Sequence, residues 1–333
     1  MKSIAVLGGG SWGIALSILL HENGHRVSIW EFNPEDAEIL RTTREHKQKL
    51  PGVSLAEDIV VTSQIDTAVA NAEMIFFVVP SHTVRSTAHL LTDKGLRDAI
   101  FVNCAKGIEN NTCLRMSEVI SSEIPDMDRQ KITTLSGPSH AEEVSRRMPT
   151  SVVVAGESEE VAASVQRLLT NDYFRVYTSP DLTGVELGGS VKNIIAIAAG
   201  IVHGLGFGDN TGGALMTRGL AEIVRLGGTF GADPMTFAGL SGLGDLVTTC
   251  ISKHSRNRHV GEEIGRGKTL NEVLSGMVMV AEGVKTTQSV HSLAKRLGIE
   301  MPITEQIYLI LFEGKDPLVA VRELMSRDLK SET

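Results

Sequence analysis

Short apolar runs rich in β-branched residues alternate with helical stretches through the first half of the chain. Near-continuous apolar runs of this kind predict strands that are buried on both faces, and hence a mainly parallel sheet covered by helices on each side. The predicted strands are Ile4–Leu7, Val27–Trp30, Ile59–Thr62, Met74–Val79, Ile100–Asn103, Ile132–Leu135, Ser151–Ala155 and Arg175–Tyr177.

The pattern changes after Tyr177. Thr178–Asp181 reads as a break with N-capping character, and nearly everything beyond it has helical periodicity, with a turn predicted at the glycine-rich stretch Gly204–Gly213. We therefore expect an α/β domain over residues 1–179 and an all-helical domain over residues 180–333. The longest apolar stretch, Ile194–Val202, is well short of the roughly 20 residues needed to cross a bilayer, and it predicts a buried helix.

Charge and cysteine content narrow the class of protein. A formal net charge of −8 argues against a nucleic-acid or anionic-membrane binder, since such proteins need a broad positive surface. Cys104, Cys113 and Cys250 form no C-x-x-C pair, and no signal peptide is apparent. The ten histidines show no H-E-x-x-H spacing, so no metal site is expected. We expect a cytoplasmic protein without stable membrane insertion.

The first predicted strand runs directly into a glycine motif. Gly8, Gly10 and Gly13 form G-x-G-x-x-G after Ile4–Leu7 and before a predicted helix over Ile14–Leu20. In this context the glycines permit a tight turn, a close approach to a pyrophosphate, and close packing of helix on strand. The helix N-terminus also favours phosphate charge. The first half is therefore predicted to be a Rossmann-type, doubly wound domain that binds a nicotinamide dinucleotide.

Glu31 ends the second predicted strand, at about the 20-residue spacing at which an acidic side chain reaches the ribose hydroxyls. Its carboxylate would repel a 2′-phosphate, and Phe32 offers no cation, although Arg41 or Arg44 would supply one by folding back. This arrangement predicts a preference for NAD over NADP. The alternative is that Glu31 is an ordinary solvated charge at a strand end. The residues alone do not choose between the two.

Lys192 is the only charged residue in the helix-like run Gly188–Gly200. An ammonium among apolar neighbours is costly unless it is paired, and burial lowers its pKa toward the range useful for proton transfer. The alternative is that Lys192 lies near a helix start and snorkels to water. On isolated sequence grounds the two interpretations are equally acceptable.

A cluster of cations, hydroxyls and an amide follows the block Gly239–Cys250. Such a cluster suits a phosphate monoester, because a guanidinium offers a planar fork and smaller groups satisfy the remaining acceptors. The alternative is a solvated basic loop. The cluster consists of Ser252, Lys253, His254, Ser255, Arg256, Asn257, Arg258 and His259.

Seven ordered segments together resemble the bacterial NAD(P)-dependent glycerol-3-phosphate dehydrogenases over essentially the full length of the chain. One glycine motif proves little, but this ordered set is specific, and it favours the functional interpretations of Lys192 and Arg256. The segments are GGGSWGIA from Gly8, VNCAKGIE around Lys106, SGPSHAEE from Ser136, GGSVKNIIAIAAGI from Gly188, GLSGLGDLVTTC from Gly239, SRNR from Ser255 and VAEGVKT from Val280.

The resemblance, joined to the dinucleotide motif, implies roles for individual residues. The implied catalytic residues are Lys192, Lys106 and Asp245. The implied cofactor-binding residues are Gly8, Gly10, Ser11, Trp12, Gly13, Glu31, Phe32, Lys106, Ala141, Arg256, Val280 and Glu282. The implied substrate-binding residues are Lys106, Gly137, Ser139, Lys192, Asp245, Ser255, Arg256 and Asn257. Phe32 departs from the family pattern, since many members carry an arginine there, and this puts use of NADP in doubt.

The resemblance also implies the reaction. It implies reduction of dihydroxyacetone phosphate to sn-glycerol 3-phosphate, the precursor of glycerophospholipids, with NAD or NADP as cofactor and Lys192 as proton donor. Two alternatives remain at this stage: a related dehydrogenase of β-hydroxy acids or sugar acids, and a non-catalytic module that senses NADH. The Gly- and Ala-rich stretch Gly212–Arg225 is compatible with packing across a homodimer or with an inner core, and the pattern does not choose.

Overall fold

The computed structural model describes residues 1–125, 127–277, 279–329 and 331–332. Over these residues, an eight-stranded sheet runs through the first half, with strand order β3-β2-β1-β4-β5-β6-β7-β8. The strands are β1 (Ser3–Leu7), β2 (Arg26–Trp30), β3 (Val60–Thr62), β4 (Met74–Phe77), β5 (Ile100–Asn103), β6 (Ile132–Ser136), β7 (Thr150–Gly156) and β8 (Phe174–Ser179).

All eight predicted strands are confirmed, and the sheet is mainly parallel as expected. Within the described residues, the one antiparallel pair of strands joins β6 to β7, with Thr134 opposite Ala155. The fourth strand is shorter than predicted and ends at Phe77; beyond it the Val78 amide still donates to the Leu7 carbonyl at 2.8 Å, and the Val78 carbonyl packs against Gly8 of the glycine loop. The carboxyl ends of β1, β4 and β5 therefore open onto one edge of the sheet, where ligands bind in folds of this type.

Helices cover both faces of the sheet and form all of the second half within the described residues. Those of the first half are α1 (Ser11–Glu22), α2 (Pro34–Thr43), α3 (Ile65–Val69), α4 (Val84–His89), α5 (Met116–Glu123), α6 (Ala141–Val144) and α7 (Glu159–Leu169). Those of the second half are α8 (Leu182–Gly204), α9 (Asp209–Thr229), α10 (Pro234–Phe237), α11 (Asp245–Ile251), α12 (Arg256–Gly265), α13 (Leu270–Ser275), α14 (Glu282–Leu297), α15 (Pro302–Glu313) and α16 (Pro317–Met325).

Helix α8 is the centre of the second half. Asp181 caps its N-terminus, accepting a hydrogen bond from the Gly184 amide at 2.8 Å, as the N-capping character of this break predicts. By length and composition α8 is apolar enough to cross a membrane, yet 94% of its most apolar window is buried in protein. The prediction that Ile194–Val202 lies in a buried helix is confirmed, although that helix is longer than the apolar stretch alone suggested.

The two halves meet along α8, where Glu186 is buried against the sheet. Its carboxylate accepts hydrogen bonds from the Ser117 amide at 2.9 Å and from the Arg115 guanidinium at 2.8 Å. Burial raises the pKa of Glu186, whereas the Arg115 charge and the Ser117 bonds act in the opposite direction. This paired buried charge fixes α8 against the first half, and the division of the chain at residue 179 remains a prediction.

The glycine-rich turn after α8 is shorter than predicted. The connection covers only residues 205–208, and Gly212 and Gly213 already belong to α9. Helix α9 buries a narrow face against α8, where a Cβ at Gly219 would lie 2.7 Å from the Ile195 side chain. Part of the Gly212–Arg225 stretch therefore belongs to the inner core, and a homodimer contact through its outer face remains a prediction.

Replacing Glu222 with Gln tests the contact between α9 and α15. The buried Glu222 carboxylate accepts hydrogen bonds from the Ile303 amide at 2.6 Å and from the amide and hydroxyl of Thr304. Because Gln supplies only one acceptor oxygen, we expect Glu222→Gln to lower the free energy of unfolding by about 1–3 kcal/mol. Urea denaturation measures this. Glu305→Gln, at an exposed position of α15, is the control; equal losses in the two variants would contradict the assignment.

Candidate active site

A cleft of about 670 Å³ lies between the carboxyl edge of the sheet and the helices of the second half. Most of the residues predicted for the site line this cleft, although they come from distant parts of the chain. The predicted residues on its wall are Gly8, Gly10, Ser11, Trp12, Glu31, Phe32, Lys106, Ser139, Lys192, Asp245, Ser255, Arg256, Asn257, Val280 and Glu282.

The glycine loop has the shape required to hold a dinucleotide. A Cβ at Gly8, whose φ is +120°, would lie 2.6 Å from the Val78 carbonyl oxygen, and a Cβ at Gly13 would lie 1.8 Å from the Gly8 carbonyl oxygen. Among the residues that the structure describes, a Cβ at Gly10 would instead meet nothing within 4 Å, and no side chain caps the N-terminus of α1. The loop is thus closely packed against the protein at Gly8 and Gly13 and open at Gly10. This shape fits a pyrophosphate placed against the N-terminus of α1.

Glu31 is not the solvated strand-end charge considered as an alternative. It is 9% exposed and accepts hydrogen bonds from the Gly9 amide at 3.1 Å and from the Lys49 ammonium at 3.0 Å. Neither Arg41 nor Arg44 folds back to the ribose-binding position beside Glu31. Arg41 pairs with Glu38, and Arg44 donates to backbone carbonyls, including that of Ile59 at 2.8 Å.

Lys49 lines the cleft beside Glu31, and sequence reasoning missed it. Its ammonium lies 2.7 Å from Asp36 as well as 3.0 Å from Glu31, so two carboxylates neutralise it. No local signal links Lys49 to Glu31, since they lie 18 residues apart in different elements. Phe32, by contrast, projects into solvent with 77% of its surface exposed.

Lys192 is buried, with 5% of its surface exposed, so the snorkelling alternative is wrong. Its ammonium donates hydrogen bonds to Asp245 Oδ1 at 2.8 Å and to Thr249 Oγ1 at 2.5 Å. The other oxygen of Asp245 accepts a hydrogen bond from Lys106 at 2.6 Å. One carboxylate thus bridges two ammonium groups, one from each half of the chain.

The neighbouring charges act on the protonation of Lys192 and Asp245. Burial lowers the pKa of Lys192 to about 8; Asp245 opposes the shift, and the like charge of Lys106 adds to it. Burial acts to raise the pKa of Asp245, but the Lys106 and Lys192 charges outweigh it and hold that pKa below the ordinary value. Asp245 is therefore an anion at neutral pH, and Lys192 is an acid that can lose its proton near neutrality.

The predicted phosphate cluster spans the turn before α12, residues 252–254, and the first turn of that helix. Ser255 is the N-cap and accepts a hydrogen bond from the Arg258 amide at 3.2 Å. Asn257 is buried and bonds to Asn193 at 2.9 Å. Arg256 lines the cleft and donates to the Val280 carbonyl at 2.9 Å. The solvated-loop interpretation is therefore wrong for Ser255, which caps α12, and for Asn257, which ties the start of α12 to α8.

Glu282 reaches across the cleft from the start of α14. It accepts a hydrogen bond from the Ser81 amide at 2.9 Å and a second one from the Ser81 hydroxyl. Burial raises the pKa of Glu282, while the Ser81 bonds and the Arg256 charge act in the opposite direction. Ser81 follows β4 in the chain, so the strand-end rule offered a signal for it that the sequence reasoning did not use.

Three predicted residues lie behind the wall of the cleft. Gly13 packs α1 on the glycine loop, and Ala141 begins α6 and is buried in the core of the first half. The Gly137 carbonyl accepts hydrogen bonds from Lys106 at 3.0 Å and from Ser139 at 3.2 Å. These positions shape the wall, and their assignment as ligand contacts remains a prediction.

Thr249 is a further site residue that sequence reasoning missed. It lies one turn after Asp245 on α11, and its hydroxyl bonds to the Asp245 carbonyl at 2.6 Å while it accepts from Lys192. The i, i+4 spacing from Asp245 was a signal for it, because residues four apart share one face of a helix.

Comparison with known proteins supports the geometry. Residues 3–162 match the family model described as the N-terminus of NAD-dependent glycerol-3-phosphate dehydrogenase, and residues 181–322 match the model of its C-terminus. A protein of Prosthecochloris aestuarii named glycerol-3-phosphate dehydrogenase [NAD(P)+] is 51% identical over 99% of both chains. One of Pelotomaculum thermopropionicum with the same name is 52% identical over 97% of this chain and 93% of its own.

A solved structure shows the same arrangement of the whole chain. The crystal structure of glycerol-3-phosphate dehydrogenase from Coxiella burnetii is 36% identical, has a TM-score of 0.94, and covers 98% of this chain and 99% of its own. Sequence and fold therefore agree along both halves. The chain belongs to the NAD-dependent glycerol-3-phosphate dehydrogenase family.

Proposed function

We propose that this chain catalyses the reversible reduction of dihydroxyacetone phosphate to sn-glycerol 3-phosphate with NADH or NADPH, and so supplies the precursor of glycerophospholipids. The observation that carries the proposal is the buried Lys192 ammonium, held by Asp245 and Thr249 in the cleft that also contains the glycine loop. Held against the glycine loop, the reduced nicotinamide would supply the hydride for the C2 carbonyl, and the oxidised form would accept it in the reverse direction.

Lys192 supplies the proton that the carbonyl oxygen requires. Asp245 and Thr249 occupy two of the ammonium's three donor directions, and the third is left for the substrate oxygen. Negative charge that develops on that oxygen is stabilised by the ammonium and removed by its proton. In the oxidative direction the neutral amine accepts the proton from the C2 hydroxyl.

Lys106 and Asp245 set the acidity of this group. The ammonium of Lys106, bonded to the opposite Asp245 oxygen at 2.6 Å, adds positive potential on the side of the first half. Without Asp245 two ammonium groups would repel each other in a buried site, and with it the cluster carries one net positive charge. That residual charge favours the alkoxide-like oxygen over a neutral carbonyl.

The phosphate group anchors the substrate in the cleft. Ser255, Arg256 and Asn257 stand at the first turn of α12, where backbone amides and the helix dipole favour an anion. Arg256 adds a planar guanidinium, which suits phosphate oxygens. Binding energy from this non-reacting group places the carbonyl beside Lys192.

The phosphate cluster also separates this proposal from its alternatives. A β-hydroxy acid does not require the Ser255–Asn257 cluster, and a module that only senses NADH does not require Lys192 beside Asp245. Loss of NADH absorbance in the presence of dihydroxyacetone phosphate, compared with a panel of oxo-acids, tests the choice. Turnover of an oxo-acid in preference to dihydroxyacetone phosphate would overturn the proposal.

Replacing Lys192 with Ala tests the proton donor. We expect kcat to fall by about 10²–10⁴-fold, the range for a general acid, with the KM for dihydroxyacetone phosphate nearly unchanged. Steady-state kinetics with NADH measures both quantities. Lys295→Ala, at an exposed position of α14, is the control and should retain wild-type kinetics. A kcat for Lys192→Ala within a few-fold of wild type would show that another group gives the proton.

The pH dependence should have opposite signs in the two directions. Because burial lowers the pKa of Lys192 to about 8, the ammonium is lost as the pH rises through that value. Reduction needs the protonated form, so its kcat should fall above about pH 8, whereas oxidation needs the neutral amine, so its kcat should rise over the same range. Profiles from pH 6.5 to 9.5 at saturating substrates measure this, and parallel profiles in both directions would argue against Lys192.

The preference between NADH and NADPH tests the role of the Glu31–Lys49 ion pair. Since Glu31 and Asp36 neutralise Lys49, a 2′-phosphate would meet a carboxylate and a cation that is already paired, and we expect a lower KM for NADH than for NADPH. Glu31→Gln should lower the ratio of the KM for NADPH to the KM for NADH by about tenfold, equivalent to about 1.4 kcal/mol. Glu35→Gln, exposed at the start of α2, is the control. A lower wild-type KM for NADPH than for NADH would contradict the predicted preference.

A further inference from the structure

Ser81 joins the two halves across the cleft, and the mechanism above does not use it. It is 7% exposed and begins the short 3-10 turn Ser81–Thr83 that follows β4. Its amide and its hydroxyl donate to separate oxygens of Glu282, with the amide nitrogen 2.9 Å from Oε1. Both oxygens of a carboxylate from the second half are thus engaged by one residue of the first half.

On the side of the first half, Ser81 is locked into the wall of the dinucleotide cleft. A Cβ at Gly107 would lie 2.4 Å from the Ser81 hydroxyl, so the Ser81 side chain packs directly on the backbone beside Lys106. The residues just before Ser81 pass so close to the glycine loop that a Cβ at Gly8 would touch the Val78 carbonyl. Displacing Ser81 therefore displaces the wall that faces this loop.

On the side of the second half, Glu282 is fixed by the phosphate cluster. It is the first residue of α14, and the next amide, that of Gly283, donates to Asn257 at 2.9 Å. The Arg256 guanidinium attracts the Glu282 carboxylate and itself donates to Val280 at 2.9 Å. The position of Glu282 is thus tied to the start of α12, where the proposed function places the substrate phosphate.

We propose that Ser81 is a positioning residue for dinucleotide binding, and that Glu282 acts on the dinucleotide chiefly through its two hydrogen bonds to Ser81. These two hydrogen bonds tie residues 78–81, which form the wall of the cleft beside Gly8, to the second half of the chain. The dinucleotide as ligand of this cleft is taken from the proposed function. The further claim is that weakening the Ser81–Glu282 pair from either side has the same consequence as weakening it from both sides.

A double-mutant cycle on the full-length enzyme tests the claim. Ser81→Ala removes the hydroxyl donor, and Glu282→Gln keeps the side-chain volume but offers one acceptor oxygen to two donors. NADH affinity is measured for wild type, both single variants and the double variant by quenching of tryptophan fluorescence, for which Trp12 lines the cleft. We expect each single variant to weaken NADH binding by about five- to tenfold. The double variant should bind NADH within about twofold of the weaker single variant.

Multiplication of the two single effects in the double variant would mean that Glu282 contacts the dinucleotide independently of Ser81, and would overturn the proposal. An unchanged NADH affinity in Ser81→Ala would do so as well, even if its melting temperature fell, because a purely structural role predicts loss of stability alone. Ser164→Ala, which removes a local helix hydroxyl in α7, is the control. Failure of wild-type enzyme to reduce dihydroxyacetone phosphate would count against the proposed function, while the NADH cycle would still report on Ser81.

Discussion

The buried Asp245 carboxylate is the group on which the site depends. It lies between two ammonium groups, at 2.8 Å from Lys192 and 2.6 Å from Lys106, and its side chain is 4% exposed. Desolvating three charges is costly, and removing one partner from such a cluster leaves an uncompensated buried charge. Because Lys106 comes from the segment that follows β5 and Lys192 from α8, the cluster is complete only when the two halves hold this arrangement. Assembly of the site and docking of the halves are therefore one event.

Packing of helix α8 against α12 fixes the distance between Lys192 and the first turn of α12. It packs against α12 with almost no side chain between them, since a Cβ at Gly200 would lie 2.0 Å from the Arg258 carbonyl and a Cβ at Gly261 would lie 1.9 Å from the Ile197 carbonyl. Backbones this close cannot slide without clashes. The first turn of α12, which carries Arg256, is thereby held at one place relative to Lys192. A substrate gripped by its phosphate then presents its carbonyl to the ammonium at a distance set by helix packing.

The sequence predicted elements better than it predicted contacts. Every strand could be found, because strands buried on both faces are near-continuous apolar runs, and Ile100–Asn103 agrees residue for residue. The Asp181 cap was also readable, because capping is a local property. The burial of Lys192 was not, since it depends on Asp245, 53 residues away, and on the helices packed around both. Lys49 shows the same limit: its position beside Glu31 is created by the loop after α2, and no short-range pattern encodes it.

The acidic balance of the chain does not conflict with an anionic substrate. A net charge of −8 opposes the approach of a phosphate at long range, but at physiological salt such fields decay within about 8 Å. Inside the cleft the relevant charges are closer than that: the Lys192–Asp245–Lys106 cluster is net positive, and Arg256 lines the same wall. An attraction that begins only inside the cleft cannot greatly raise the rate at which substrate and protein associate. It does stabilise the substrate once it is bound. Binding and orientation of the substrate are therefore local properties of this cleft, independent of the overall charge.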